Sequence, residues 1–187
     1  HGAHAREALR DDGSGRMTFD VACFRAFDLE TYLFSPGRMA PRIVCGATAE
    51  VVDGGEICGW LVDRESALQI AKEILCSPTD VMVGANIAYD LACLAETNEE
   101  TNEDLLALIF AAIRSGRVYD VLIAQALDAI GGGYLGIDPR SGGDLKNAEG
   151  KSTKRYSLFS VVDLVLGRKD AKARDGWRMS YALLDGI

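Results

Sequence analysis

Histidine is almost missing from this chain of 187 residues: His1 and His4 are the only two, and both precede residue 5. That placement argues against a Ser-His-Asp triad, a Cys-His pair or a His-ligated zinc site in the folded body. Paired cysteines are missing too. The five cysteines (Cys23, Cys45, Cys58, Cys76, Cys93) form no C-x-x-C and lie mostly within apolar runs. An odd number of such residues points to reduced, buried thiols and a cytoplasmic setting. No apolar run approaches the roughly 18 residues of a membrane span, and the first residues carry no h-region of a secretory signal. There is no internal repeat and no Walker or G-x-G-x-x-G loop; Gly131-Gly132-Gly133 is not one. Hydrolytic chemistry here falls to carboxylates, tyrosine, lysine or metal-bound water.

What is present suits one domain with a sizeable core, at 48% hydrophobic and 26% charged residues. The net charge of −8 is unevenly spread. Arg140 to Arg174 holds nine Lys/Arg against four acids, a local +5, which leaves −13 on the remainder. Leu91 to Ile113 has five acids and no base. Such asymmetry can set a phosphate-binding face against a repelling one, although a Lys-rich loop is commonly only a solvated loop.

Residues 1–16 are rich in Gly, Ala and charge and read as a tag, linker or disordered leader, with the domain spanning 17–187. The run Phe19–Phe27 predicts a central strand ending at Asp28. Arg42–Ala49 and Glu56–Val62 predict two more, joined by a turn at Asp53-Gly54-Gly55. Asp63 is the expected N-cap of a helix whose apolar residues recur from Ala67 to Leu75 before Pro78. Asp80–Gly84 predicts a short strand, Tyr89–Ala95 and Asn102–Arg114 predict helices, and Val118–Tyr119 a further short strand. Helices are then expected from Asp120 to about Ile130, over Leu158–Leu166 up to Gly167, and over Trp177–Leu184. Gly131–Arg155 reads as a long, glycine-rich loop. This alternation implies an α/β fold, a mixed sheet with helices on its faces.

Two acidic clusters stand out, each at the end of an apolar run: Phe27-Asp28-Leu29-Glu30-Thr31, and Gly84-Ala85-Asn86-Ile87-Ala88-Tyr89-Asp90. Asp28 and Glu30 are two apart on a strand, so both carboxylates project from one face. Asp90 follows a strand end where a helix begins. Three carboxylates converging at strand ends are what divalent cations need for phosphodiester hydrolysis. Alone, a D-x-E pair is weak, since 28 acids produce such pairs by chance. Asn86 also has a plain structural reading as a helix N-cap, and Tyr89 as an amphipathic core residue.

Together, Phe-Asp-Leu-Glu-Thr and Gly-Ala-Asn-Ile-Ala-Tyr-Asp resemble the first two motifs of the DnaQ-like 3′–5′ exonucleases. The form is similar to the proofreading domain of polymerase I-type DNA polymerases, including bacteriophage ones. Arg117 to Val121 and Tyr156-Ser157-Leu158 also look like segments of that domain. The resemblance implies an RNase H-like mixed five-stranded sheet with helices on both faces. It implies a catalytic metal site in which Asp28, Glu30 and Asp90 hold two divalent cations, Mg²⁺ or Mn²⁺, that serve the attacking water and the leaving 3′ oxygen. Thr31, Asn86 and Tyr89 would contact the substrate, the single-stranded 3′ end of DNA. A polymerase domain in the same or a partner chain, no membrane, and a bacterial or phage-infected host cytoplasm are further expectations. The family's third motif is Tyr-x-x-x-Asp; here it is either Tyr181 with Asp185, or a segment beyond Ile187 that would leave the domain truncated. The alternatives are a catalytically silent nucleic-acid-binding domain of the same fold and an RNA-trimming exonuclease.

Overall fold

The computed structural model describes residues 9–11, 17–19, 24–52, 55–97, 105–146, 150–153 and 156–167, with backbone alone at 9–11, 17–19 and 159. The chain divides into two compact units, the first running to Tyr119 and the second starting at Asp120. The candidate third-motif residues Tyr181 and Asp185, and the helix expected over Trp177–Leu184, lie outside the described residues.

Strands β1 (Leu9–Asp11) and β2 (Met17–Phe19) pair antiparallel as a two-stranded ribbon. The main sheet of the first unit comprises β3 (Phe24–Thr31), β4 (Ile43–Val51), β5 (Ile57–Asp63), β6 (Val81–Gly84) and β7 (Val118–Asp120), in spatial order β5-β4-β3-β6-β7. β4 is antiparallel to both β3 and β5, while β3 and β6 run parallel. This is a mixed five-stranded sheet in an α/β unit.

Alternation along β3 decides which residues face the core. Phe27 and Leu29 are buried while Ala26 and Asp28 are exposed, the period-two pattern of a pleated strand. The strand does not end at Asp28. β4 runs alongside it to the pair Thr31↔Ile43, with a register shift between Glu30 and Thr31, so both acids of the D-x-E pair are held inside the ladder.

Among the described residues of this unit are three helices: α1 (Arg64–Cys76), α2 (Ile87–Glu96) and α3 (Leu105–Arg114). Their apolar residues meet Phe27, Leu29, Ile43 and Met82 in one cluster that includes Ile74, Leu75 and Leu94. Each of those large side chains is almost fully buried, worth about 1.5–3 kcal/mol apiece. α1 lies close on β4 because position 46 is glycine: a Cβ there would meet the Ala67 Cβ at 2.8 Å. Asp63 caps α1 as expected, its Oδ1 accepting the Ser66 N–H at 2.7 Å. That bond holds the Asp63 carboxyl below the usual range.

At the other end of α1, Arg117 satisfies carbonyls that the helix cannot. Its guanidinium donates to the carbonyls of Ile74 (3.2 Å) and Leu75 (3.0 Å) in the last turn and to that of Asp80 (3.3 Å). The last carbonyls of a helix have no intrahelical donor, so one side chain ties the end of α1 to the start of β6.

In the second unit, Asp120 caps α4 (Val121–Gly132), accepting from the Leu122 and Ile123 N–H groups. Ser157 caps α5 (Leu158–Leu166) through a reciprocal box with Ser160, and Gly167 closes it in the left-handed conformation. Between them, residues 133–146 form defined turns and bridges despite their glycine content. A tight turn is closed by the Asp138 N–H donating to the Gly143 carbonyl at 2.8 Å, Ile137 bridges Asp144, and Leu145 is buried. Arg140, counted in the basic segment, is engaged by carboxylates: it donates to Asp138 at 2.9 Å and to Asp163 at 3.1 Å.

Candidate metal and nucleic-acid site

Strand register explains how the acidic motifs come together. Ala26 and Asp28 oppose Ala49 and Ala47 of β4. β4 turns into β5 through the Val52 N–H donating to the Glu56 carbonyl at 2.9 Å. Alternation from that closing pair directs the backbone groups of Val51, Ala49 and Ala47 toward β3. Ala26 and Asp28 therefore bond toward β4, and Arg25, Phe27 and Leu29 toward β6. Pairing with β6 ends at Ala26↔Val83. The Leu29 N–H thus points past the end of β6 and needs an acceptor.

Asp90 supplies it. Its Oδ1 accepts the Leu29 N–H at 2.9 Å. Sixty-one positions separate the partners in sequence, and the bond fixes Asp90 against the residue between Asp28 and Glu30. Asp90 is 2% exposed. Burial pushes its pKa up to about 7, and the negative charges of Asp28 and Glu30 add to that, against the lowering effect of the Leu29 hydrogen bond. The two motifs are one electrostatic unit. Among the described residues, however, no three carboxylate, thiol or imidazole groups are close enough together to hold a metal ion as they stand.

The turn leading into α2 is tight. A Cβ on Gly84 would meet the Ile87 Cδ1 at 2.5 Å and the Phe27 carbonyl oxygen at 3.1 Å, so only glycine lets β6 end against β3. Asn86 follows with φ 63° and ψ 43°. It is the sole non-glycine residue with positive φ among the described residues. The N-cap reading fails in its usual form: Asn86 sits at the cap position, but its side chain makes no capping bond. Asparagine is there as a residue that tolerates the left-handed conformation.

Tyr89 and Thr31 meet across the two motifs, with the hydroxyls 2.7 Å apart. Burial raises the Tyr89 pKa, the Thr31 bond opposing. Two partners of this pair were not singled out from the sequence. The Phe34 ring stands edge-on to Tyr89 with centroids 6.3 Å apart. Cys93 is fully buried and interacts with the Tyr89 hydroxyl. Burial, then the charge of Asp90, pushes the Cys93 thiol up to about 11. The spacing of Tyr89 and Cys93, one turn apart on α2, was the available signal for Cys93. Nothing local marked Phe34, which lies in the loop after β3.

The donor chemistry suits a hard cation: the charges of Asp28 and Glu30 raise the proton affinity of Asp90, a repulsion that a divalent ion would relieve. Asp28 is exposed and Glu30 half-buried, on the face of β3 opposite Phe27 and Leu29. Glu30 also helps to raise the pKa of buried Cys45, after desolvation.

No family model matches the sequence, and no curated protein matches it either. Among solved structures, the crystal structure of the Aedes aegypti Nibbler EXO domain is similar at 12% identity. That match covers 87% of this chain and 72% of the other, with a TM-score of 0.48. That degree of similarity carries no residue role from one protein to the other.

Proposed function

We propose that this chain is a metal-dependent 3′–5′ exonuclease acting on single-stranded 3′ ends of DNA. The observation that carries the reading is the tether of Asp90 to the Leu29 N–H, which couples the second acidic motif to Asp28 and Glu30. In this reading Asp28, Glu30 and Asp90 hold two Mg²⁺ or Mn²⁺ ions. Such ions supply a water nucleophile at neutral pH and stabilise charge on the leaving oxygen. Asp90 gives up its proton on loading. Thr31, Asn86 and Tyr89 position the terminal nucleotide, Tyr89 being oriented by its hydroxyl contact with Thr31. Proofreading for a polymerase I-type enzyme, in the same or a partner chain and in a bacterial or phage-infected cell, is the narrower form of this reading. It rests on the resemblance of the motifs.

A silent nucleic-acid-binding domain is favoured by one observation, that the described residues hold no ready-made three-ligand group. A single experiment separates the two. A single-stranded oligonucleotide labelled at its 5′ end is incubated with the chain and Mg²⁺ or Mn²⁺, with EDTA, and with Asp28→Ala. The enzyme shortens it from the 3′ end only with metal, and Asp28→Ala slows this by several orders of magnitude. Metal-independent or Asp28-independent shortening overturns the assignment. Binding without shortening establishes the silent domain.

A further inference from the structure

β5 is the outer strand of the main sheet and has a single neighbour, β4, among the described strands. The hairpin register that places the site also fixes this edge. Because Val52 and Glu56 form the closing hydrogen-bonded pair, Cys58, Trp60 and Val62 bond toward β4. The N–H and C=O groups of Ile57, Gly59 and Leu61 then point outward.

An open edge is normally blunted by lysine, proline, a bulge or a cover. Residues 57–62 read Ile-Cys-Gly-Trp-Leu-Val, with no charge and no proline. Ile57 is 73%, Leu61 62% and Trp60 46% exposed. Ile57 and Leu61 lie on one face of the sheet and Trp60 on the other, so the edge is apolar on both sides. Gly59 is the second observation. It does not have a positive φ, and a Cβ there would make only ordinary contacts at 3.6 Å with Ala49 and Thr48. Nothing among the described residues requires glycine at 59, and close approach of another backbone is one of the uses of a glycine inside a strand.

We propose that β5 is a homodimer interface, pairing antiparallel with β5 of a second copy about a two-fold axis at Gly59. This register is self-complementary. Ile57 faces Leu61 of the second copy, and Cys58 faces Trp60, so apolar residues meet on both faces. The outward backbone groups of residues 57, 59 and 61 close hydrogen bonds at every pair. Asp63, which caps α1, stays beyond the paired segment, whereas a register shifted to a two-fold at Trp60 would set it against Ile57. The two five-stranded sheets become continuous. An interface built on one strand pair lies at the small end of specific interfaces, so the expected dissociation constant is micromolar, about 1–100 μM.

Sedimentation equilibrium across that concentration range tests this. The parent chain shifts from monomer to dimer mass. Leu61→Lys weakens the dimer about tenfold or more, the equivalent of 1.4 kcal/mol. The double variant Ile57→Lys/Leu61→Lys sets lysine directly opposite lysine at both ends and leaves monomer. Ile57→Lys/Leu61→Glu sets lysine opposite glutamate in this register alone, and binds at least about tenfold more tightly than the double-lysine variant. Circular dichroism checks that each variant is folded, as expected for side chains already in solvent. A parent that stays monomeric throughout overturns the proposal. So does a dimer indifferent to Leu61→Lys, or two double variants that dissociate equally.

Discussion

Replacing Asp90 by asparagine separates the electrostatics of the site from its shape. The carboxyl is buried, its pKa is raised from 3.8 to about 7, and Oδ1 accepts the Leu29 N–H. An asparagine Oδ1 can accept the same bond, so the geometry survives while the charge does not. A raised folded-state pKa means that the native chain holds this proton after the unfolded chain has released it. The stability that the proton confers is fully present below pH 3.8 and is lost as pH rises through about 7. A shift of three units corresponds to about 4 kcal/mol. In urea denaturation with EDTA, Asp90→Asn should therefore be more stable than the parent by about 2–4 kcal/mol at pH 8 and match it within about 1 kcal/mol at pH 4.5. The comparison cancels slopes from other groups, provided the m-value is unchanged. If the metal reading holds, Mg²⁺ or Mn²⁺ stabilises the parent at pH 8 and leaves Asp90→Asn unaffected. An Asp90→Asn difference that is the same at both pH values, or destabilising at pH 8, refutes the reasoning.

Arg117→Met should destabilise the first unit by about 2–3 kcal/mol, because three main-chain carbonyls lose a charged donor; a Tm within a degree of the parent would count against the clamp. Asn86→Ala should cost about 1 kcal/mol from left-handed strain, while Asn86→Gly costs nothing measurable. If Asn86 contacts substrate, Asn86→Gly keeps the parent's Tm and loses affinity for a single-stranded oligonucleotide. A double-mutant cycle of Thr31→Val and Tyr89→Phe should show about 0.5–1.5 kcal/mol of coupling in stability, and additive effects would mean that the hydroxyl contact contributes nothing.

Much of this fold was legible because it is locally encoded. Period-two alternation places Asp28 and Glu30 on one face of a strand wherever that strand sits. Asp63 and Asp120 announce helix starts because a short acidic side chain satisfies the N–H groups of a first turn. Gly167 stops α5 where the sequence suggested, since glycine accepts the left-handed close.

Other features belong to partners distant in sequence. Whether β3 ended at Asp28 or continued to Thr31 was decided by β4 running alongside. Asn86 read as a side-chain cap, but it makes no capping bond and instead takes the left-handed backbone conformation in the tight turn after Gly84. The glycine-rich stretch after α4 read as a loose basic loop, yet Arg140 is drawn to Asp138 and Asp163. The sequence by itself determined which acids could act together. Only the tertiary structure decided that β6 stops short of Leu29, leaving an N–H whose need for an acceptor orients Asp90 and buries its charge.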